Sequence, residues 1–106
     1  MIDWQRVADL REEVGEEDFA EVAELFLEEV AEGLGDLTPD GTSEEVQAQL
    51  HALKGSALNL GFSEFAGLCA ALEDQARRTG IDAADRQQLL DSFDASRSAF
   101  EEGDTA

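Results

Sequence analysis

Apolar side chains recur every three or four residues along almost the whole chain, the spacing of one face of an α-helix. Strand signals are missing: there is no Tyr, and no run alternates Val, Ile or Thr with polar residues. The pattern predicts an all-α protein. A short first helix is expected from Asp3 to Val14, with Trp4, Val7, Leu10 and Val14 on one side and Gly15 ending it. A second runs from Glu16 to Gly33 or Gly35, carrying Phe19, Val22, Ala23, Phe26, Val30 and Leu34 as its apolar stripe, with Leu27 off it. Pro39 and Gly41 then mark the main break.

Thr42 or Ser43 is placed to cap a third helix, and Glu45, three residues after Thr42, completes a capping-box pattern. Its apolar positions are Val46, Leu50, Leu53, Ala57 and Leu60, and Gly61 ends it. Ser63 is read as the cap of a fourth helix lined by Phe65, Leu68, Cys69, Leu72 and Ala76 and stopped by Gly80. A fifth starts at Asp82 and buries Leu89, Leu90, Phe93 and Phe100. Four amphipathic helices with short connections close most economically as an up-down-up-down antiparallel four-helix bundle, the short N-terminal helix acting as a lid. A chain of 106 residues is enough for one such core. The expected layout is a single domain over 1–106: lid helix 1–15, bundle 16–101 and frayed tail 102–106.

Charge narrows the choice of partners. With 26 Asp and Glu against 7 Lys and Arg, the net charge of −19 repels nucleic acid and anionic membranes over most of the surface. One Cys cannot close an intramolecular disulfide, and one Cys with one His is too few for a structural zinc site. No apolar run approaches the roughly 18 residues of a membrane span, and the start MIDWQR has no basic n-region followed by an apolar stretch. A soluble, cytoplasmic, monomeric protein without a cofactor of its own is expected.

The chemistry centres on the stretch HALKGSALNLGF, which begins at the only histidine. At about 100° per residue, His51 points about 140° away from the apolar centre of its helix, and so faces out. Gln47, Lys54, Gly55 and Leu58 are its i−4, i+3, i+4 and i+7 neighbours and share that outward patch. A mid-helix glycine costs roughly 1 kcal/mol relative to alanine. On an outward face, Gly55 cannot be explained by packing within the bundle, but it would let a partner's backbone approach the ring. Lys54 supplies a flexible cation for an oxyanion placed on the imidazole. Leu58 suits a docking surface.

The third and fourth helices are joined at Leu60-Gly61-Phe62, and His51 and Glu73 lie at nearly equal distances from that turn. A carboxylate there could accept a hydrogen bond from one ring nitrogen, leaving the other free for attack. An i,i+4 pair between Glu73 and Arg77 on their own helix is as strongly expected, and both contacts could hold.

His51, Leu53, Lys54, Gly55, Ser56, Ala57 and Gly61 match the pattern H-x-L-K-G-S-[SA]-x-x-x-G. In this the chain resembles the histidine-containing phosphotransfer (HPt) domain family of phosphorelays, whose fold is a four-helix bundle with an additional N-terminal helix. The resemblance implies that His51 accepts a phosphoryl group from an aspartyl phosphate of a receiver domain, or from a histidine kinase system, and passes it to another receiver. It implies that Lys54 contacts the phosphoryl oxygens and that Gly55 admits the receiver's active site. The position of Glu73 carries an amide or an acid in the family, and Arg77 matches a basic position found in some members. Gln47, Leu58 and Arg77 would border the docking face. Partners would be response-regulator receiver domains or a hybrid histidine kinase, with Mg²⁺ supplied by the receiver. With no Gly-rich phosphate loop of its own, the chain reads as a phosphocarrier and not as an enzyme. A helical adaptor that binds a receiver or kinase without being phosphorylated is the alternative. A metal-binding bundle is disfavoured because such bundles use inward-facing Glu-x-x-His pairs.

Overall fold

The computed structural model describes residues 2–105, the side chains of residues 104 and 105 excepted. These residues form five helices and no strand: α1 (Trp4–Val14), α2 (Glu16–Asp36), α3 (Ser43–Asn59), α4 (Ser63–Arg78) and α5 (Ala83–Thr105). The helices lie side by side in a rod of 43 × 20 × 20 Å.

Local chemistry sets most of the boundaries. Asp3 caps α1, its carboxylate accepting the Arg6 N–H at 3.2 Å. Gly15, at φ 88°, breaks the chain between α1 and α2. Glu16, Glu17 and Asp18 then place negative charge at the positive end of the α2 dipole. Thr42 is the cap of α3, accepting the Glu45 N–H at 3.2 Å. Ser43 is thereby freed to donate its hydroxyl to the Ala76 carbonyl at 2.9 Å, tying the start of α3 to the end of α4. Asp82 and Asp85 cap α5 reciprocally: each carboxylate accepts the other's N–H, at 2.9 and 3.0 Å.

Cross-links between helices give their arrangement. α3 packs along α4 and on its other side against α2, α4 packs on α5, and α2 reaches α5. The end of α2 meets the start of α5, where Arg86 donates to the Leu34 carbonyl at 2.8 Å. Its beginning meets the end of α5, where the Phe19 and Phe100 rings lie 6.4 Å apart. Phe62, Phe65, Phe93 and Phe100 continue that aromatic cluster into the core. α1 lies on α2 and α3. Asp3 donates its N–H to the Gly61 carbonyl at 2.7 Å, and Arg6 donates to the Asn59 carbonyl at 3.3 Å. The first helix is therefore fastened to the α3–α4 turn.

Four boundary or burial expectations change. Leu27 is buried, whereas Val22 and Phe26 are only half-buried. Contacts with α1 and α5 as well as α3 turn α2 toward the stripe Phe19, Ala23, Leu27, Val30 and Leu34. Ser63 is the first residue of α4 and not its cap; buried Phe62 occupies the cap position and makes no side-chain capping bond. On α4 and α5, Leu68 and Leu90 are half-buried at the core's edge. Residues 102–105 continue α5 as helix where a frayed tail is expected. The Trp4 ring stacks on Phe100, and a side chain at Gly103 would collide with it, so the last turns are held by α1. The remaining tail residue, 106, lies outside the described residues.

Candidate functional site

Burial of Val46, Leu50, Leu53, Ala57 and Leu60 fixes the rotation of α3 about its axis. His51 is thereby turned outward, with 70% of its side chain exposed. On α4, burial of Phe65, Cys69, Leu72 and Ala76 leaves Glu73 at the margin facing α3.

The two helices bring three of the sequence-predicted residues together through one carboxylate. Glu73 Oε2 lies 3.5 Å from His51 Nδ1, and Oε1 lies 3.4 Å from Lys54 Nζ. At 3.5 Å the ring contact is an orienting ion-dipole approach more than a short hydrogen bond. Lys54 and Glu73 are each a little over one-quarter exposed, so their pairing is less screened than that of a fully solvated pair. Nδ1 is thus the ring nitrogen directed at the carboxylate.

Gly55 supplies open space beside the ring: a Cβ built on it would meet nothing within 4 Å. Leu58, 51% exposed, extends the same outward flank toward the α3–α4 turn. Gln47 is half-buried, and its amide donates to the Ser43 hydroxyl at 3.0 Å. The i,i+4 pairing of Glu73 with Arg77 is not made. Arg77 instead binds Asp74, which also holds Arg78 at 3.1 Å. It lines a cavity of about 320 Å³ near the start of α3, with Ser43, Val46 and Gly80.

Two neighbours of the site escaped the sequence reading. Ser43 braces α3 against α4 through Ala76, a bond that could be seen in the sequence only after the helix register was known. Cys69, fully buried, lies one turn from Glu73, and its thiol is pushed up to about 12 by burial, then by the Glu73 charge, with Lys54 opposing. Their i,i+4 spacing was the available signal. Among the described residues no group of three or more His, Cys, Asp or Glu could hold a metal ion. No helix among the described residues is long and apolar enough to cross a membrane.

The arrangement presents an exposed imidazole with one nitrogen oriented, a cation within reach and no side chain barring approach from Gly55. Such an arrangement can present a ring nitrogen as a nucleophile to a partner. Comparison with curated proteins and with solved structures gave no match. The Hpt domain family model matches residues 21–99, from the second turn of α2 through most of α5. A match over that span shows that the chain belongs to the Hpt domain family, the phosphotransfer modules of two-component signalling.

Proposed function

We propose that this chain is a phosphorelay intermediate that accepts a phosphoryl group on His51 from the aspartyl phosphate of one receiver domain, or from a histidine kinase system, and passes it to another receiver. The carrying surface would be an up-down-up-down bundle of α2–α5 with α1 over one end. The observation that supports the reading most is the shared carboxylate of Glu73, which orients His51 Nδ1 and holds Lys54 at the same level.

In the forward step the Nε2 lone pair attacks phosphorus in line, and the bond from phosphorus to the aspartyl oxygen breaks. The aspartate leaves as a carboxylate, and the Nδ1 proton stays directed at Glu73. Lys54, whose flexible stem allows it to leave Glu73, pairs with the phosphoryl oxygens as charge develops there. The receiver contributes Mg²⁺ and the positioning that phosphoryl transfer mainly requires. Gly55 gives the receiver's active site room, and Gln47, Leu58 and Arg77 border the docking face. Hpt domains are phosphocarrier modules and not enzymes with ATP sites, so the chain needs a partner at both steps.

The test mixes the protein with a phosphorylated receiver and follows acid-labile label. Wild type should take up label and His51→Gln should not; transfer that persists in His51→Gln would overturn the assignment. Receiver binding without any transfer in wild type would favour an adaptor.

A further inference from the structure

We propose that the groove between α2 and α3, on the flank of α3 opposite the Glu73 side, is an anchoring site for a Lys or Arg side chain of the protein that docks over His51. The identity of that partner rests on the phosphorelay reading; the chemistry of the groove does not.

Three small residues open the groove. Gly33 on α2 lets the helices close on the buried Leu53, since a Cβ there would stand 2.7 Å from Leu53 Cδ2. Ala52 and Ser56 keep the α3 wall low, and the space between the helices is about 400 Å³. That lies near the lower end of the roughly 300–1,000 Å³ typical of ligand pockets, so one long side chain fits. Gln49 closes one end, donating to the Asp36 carbonyl at 3.1 Å and accepting the Thr38 N–H at 3.4 Å.

The lining is apolar below and anionic above. Leu53 and Ala52 offer methyl groups to an aliphatic stem, and the exposed carboxylates of Glu29 and Asp36 stand on the α2 wall to receive a cationic head. Ser56 donates its hydroxyl to Glu29 at 3.2 Å, which leaves that carboxylate further acceptor capacity.

None of the seven Lys and Arg side chains takes this place. Arg6, Arg11, Lys54, Arg77, Arg78 and Arg97 pair with acids elsewhere, and Arg86 donates to the Leu34 carbonyl. From residue 12 to residue 45 the sequence contains acids and no Lys or Arg at all. A cation entering from outside therefore meets unneutralised charge and no competitor among the described residues.

Position connects the groove to the site. On the α3 wheel Gly55 lies about 40° from His51 on one side and about 60° from Ala52 on the other. With nothing within 4 Å of a Cβ at Gly55, a partner resting on His51 crosses a low saddle and reaches the groove. The same glycine serves both contacts.

The test has two arms. Amide NMR spectra of the whole chain are titrated with n-butylguanidinium, with guanidinium chloride and n-butanol as controls. Saturable shifts at Gly33, Ala52 and Leu53 are expected, weakened about fivefold or more in E29Q/D36N but not in E17Q/E21Q, which removes the same charge earlier on α2. In the second arm, a receiver that phosphorylates His51 should bind E29Q/D36N about tenfold more weakly, or about 1.4 kcal/mol, with its transfer rate at saturation unchanged. Shifts that follow guanidinium alone, or that ignore the double substitution, would overturn the groove. Intact groove shifts with no receiver able to label His51 would support the groove and sink the phosphorelay reading instead.

Discussion

Lys54 on α3 and Glu73 on α4 stand 3.4 Å apart across the two helices, and the other oxygen of the same carboxylate faces His51 Nδ1 at 3.5 Å. Removing that carboxylate therefore acts on two groups at once. In Glu73→Ala the His51 tautomer balance should move toward the Nε2–H form, read directly from ring ¹⁵N shifts. Stability should change by no more than about 1 kcal/mol, because both partners of the ion pair keep access to water. An unchanged tautomer balance would show that Glu73 does not orient the ring.

Gly55 separates stability from transfer. Since an added methyl group would touch nothing within 4 Å, Gly55→Ala should stabilise the folded chain by up to about 1 kcal/mol through helix propensity. In the proposed relay the same methyl stands on the receiver's path to His51, so transfer should slow by about tenfold or more, a barrier increase of about 1.4 kcal/mol. Thermal unfolding and phosphoryl-transfer rates on one sample check both signs. A more stable variant with unchanged transfer would refute the access role.

Gly61 should behave in the opposite way. It sits at φ 74°, and a Cβ there would lie 2.5 Å from the Asp3 carbonyl oxygen. Gly61→Ala combines left-handed backbone strain with a backbone collision and should cost about 2–3 kcal/mol. Denaturant unfolding followed by circular dichroism measures it, and amide exchange should show α1 loosening from the α3–α4 turn first. A loss below about 0.5 kcal/mol would mean that α1 docks by another route.

Cys69 gives a pH-dependent prediction. Burial first, and the Glu73 charge second, push its thiol from an ordinary value of 9.0 to about 12 in the folded chain. The folded state therefore holds the proton more tightly than the unfolded state does. The associated stabilisation is complete below pH 9, and falls as pH rises from about 9 toward 12. A thiol reagent at pH 8 should leave Cys69 unmodified until denaturant is added. In Cys69→Ala the alkaline loss of stability should be smaller than in wild type.

The parts of this molecule that the sequence makes legible are those set by one helix and one turn. The period of Val46, Leu50, Leu53, Ala57 and Leu60 determines which way α3 rolls, and so where His51 points. Counting outward from the Leu60–Phe62 turn places Glu73 opposite the ring because both helices rise by the same amount per residue. Features that depend on how further helices pack are not legible in this way. Leu27 replaces Phe26 in the core because α2 is packed by more than one neighbour, and the α5 end is ordered by a ring from α1. Arg77 prefers Asp74, three residues back, because Lys54 already occupies Glu73 from another helix. The groove between α2 and α3 required two helices in register before Gly33 and Leu53 could be seen to define it.

Trp4 decides what the intrinsic fluorescence of this protein reports. It is the only indole in a chain without Tyr, so ultraviolet-excited emission from this protein is almost wholly its own. That indole does not sit between α3 and α4; it lies 44% exposed against Phe100, where the first and last helices meet. A fluorescence trace would thus record the clasp between the two ends of the chain and remain silent on the pair of helices that carries His51. Any disagreement between emission and far-ultraviolet dichroism would time the opening of the clasp separately from the melting of the bundle.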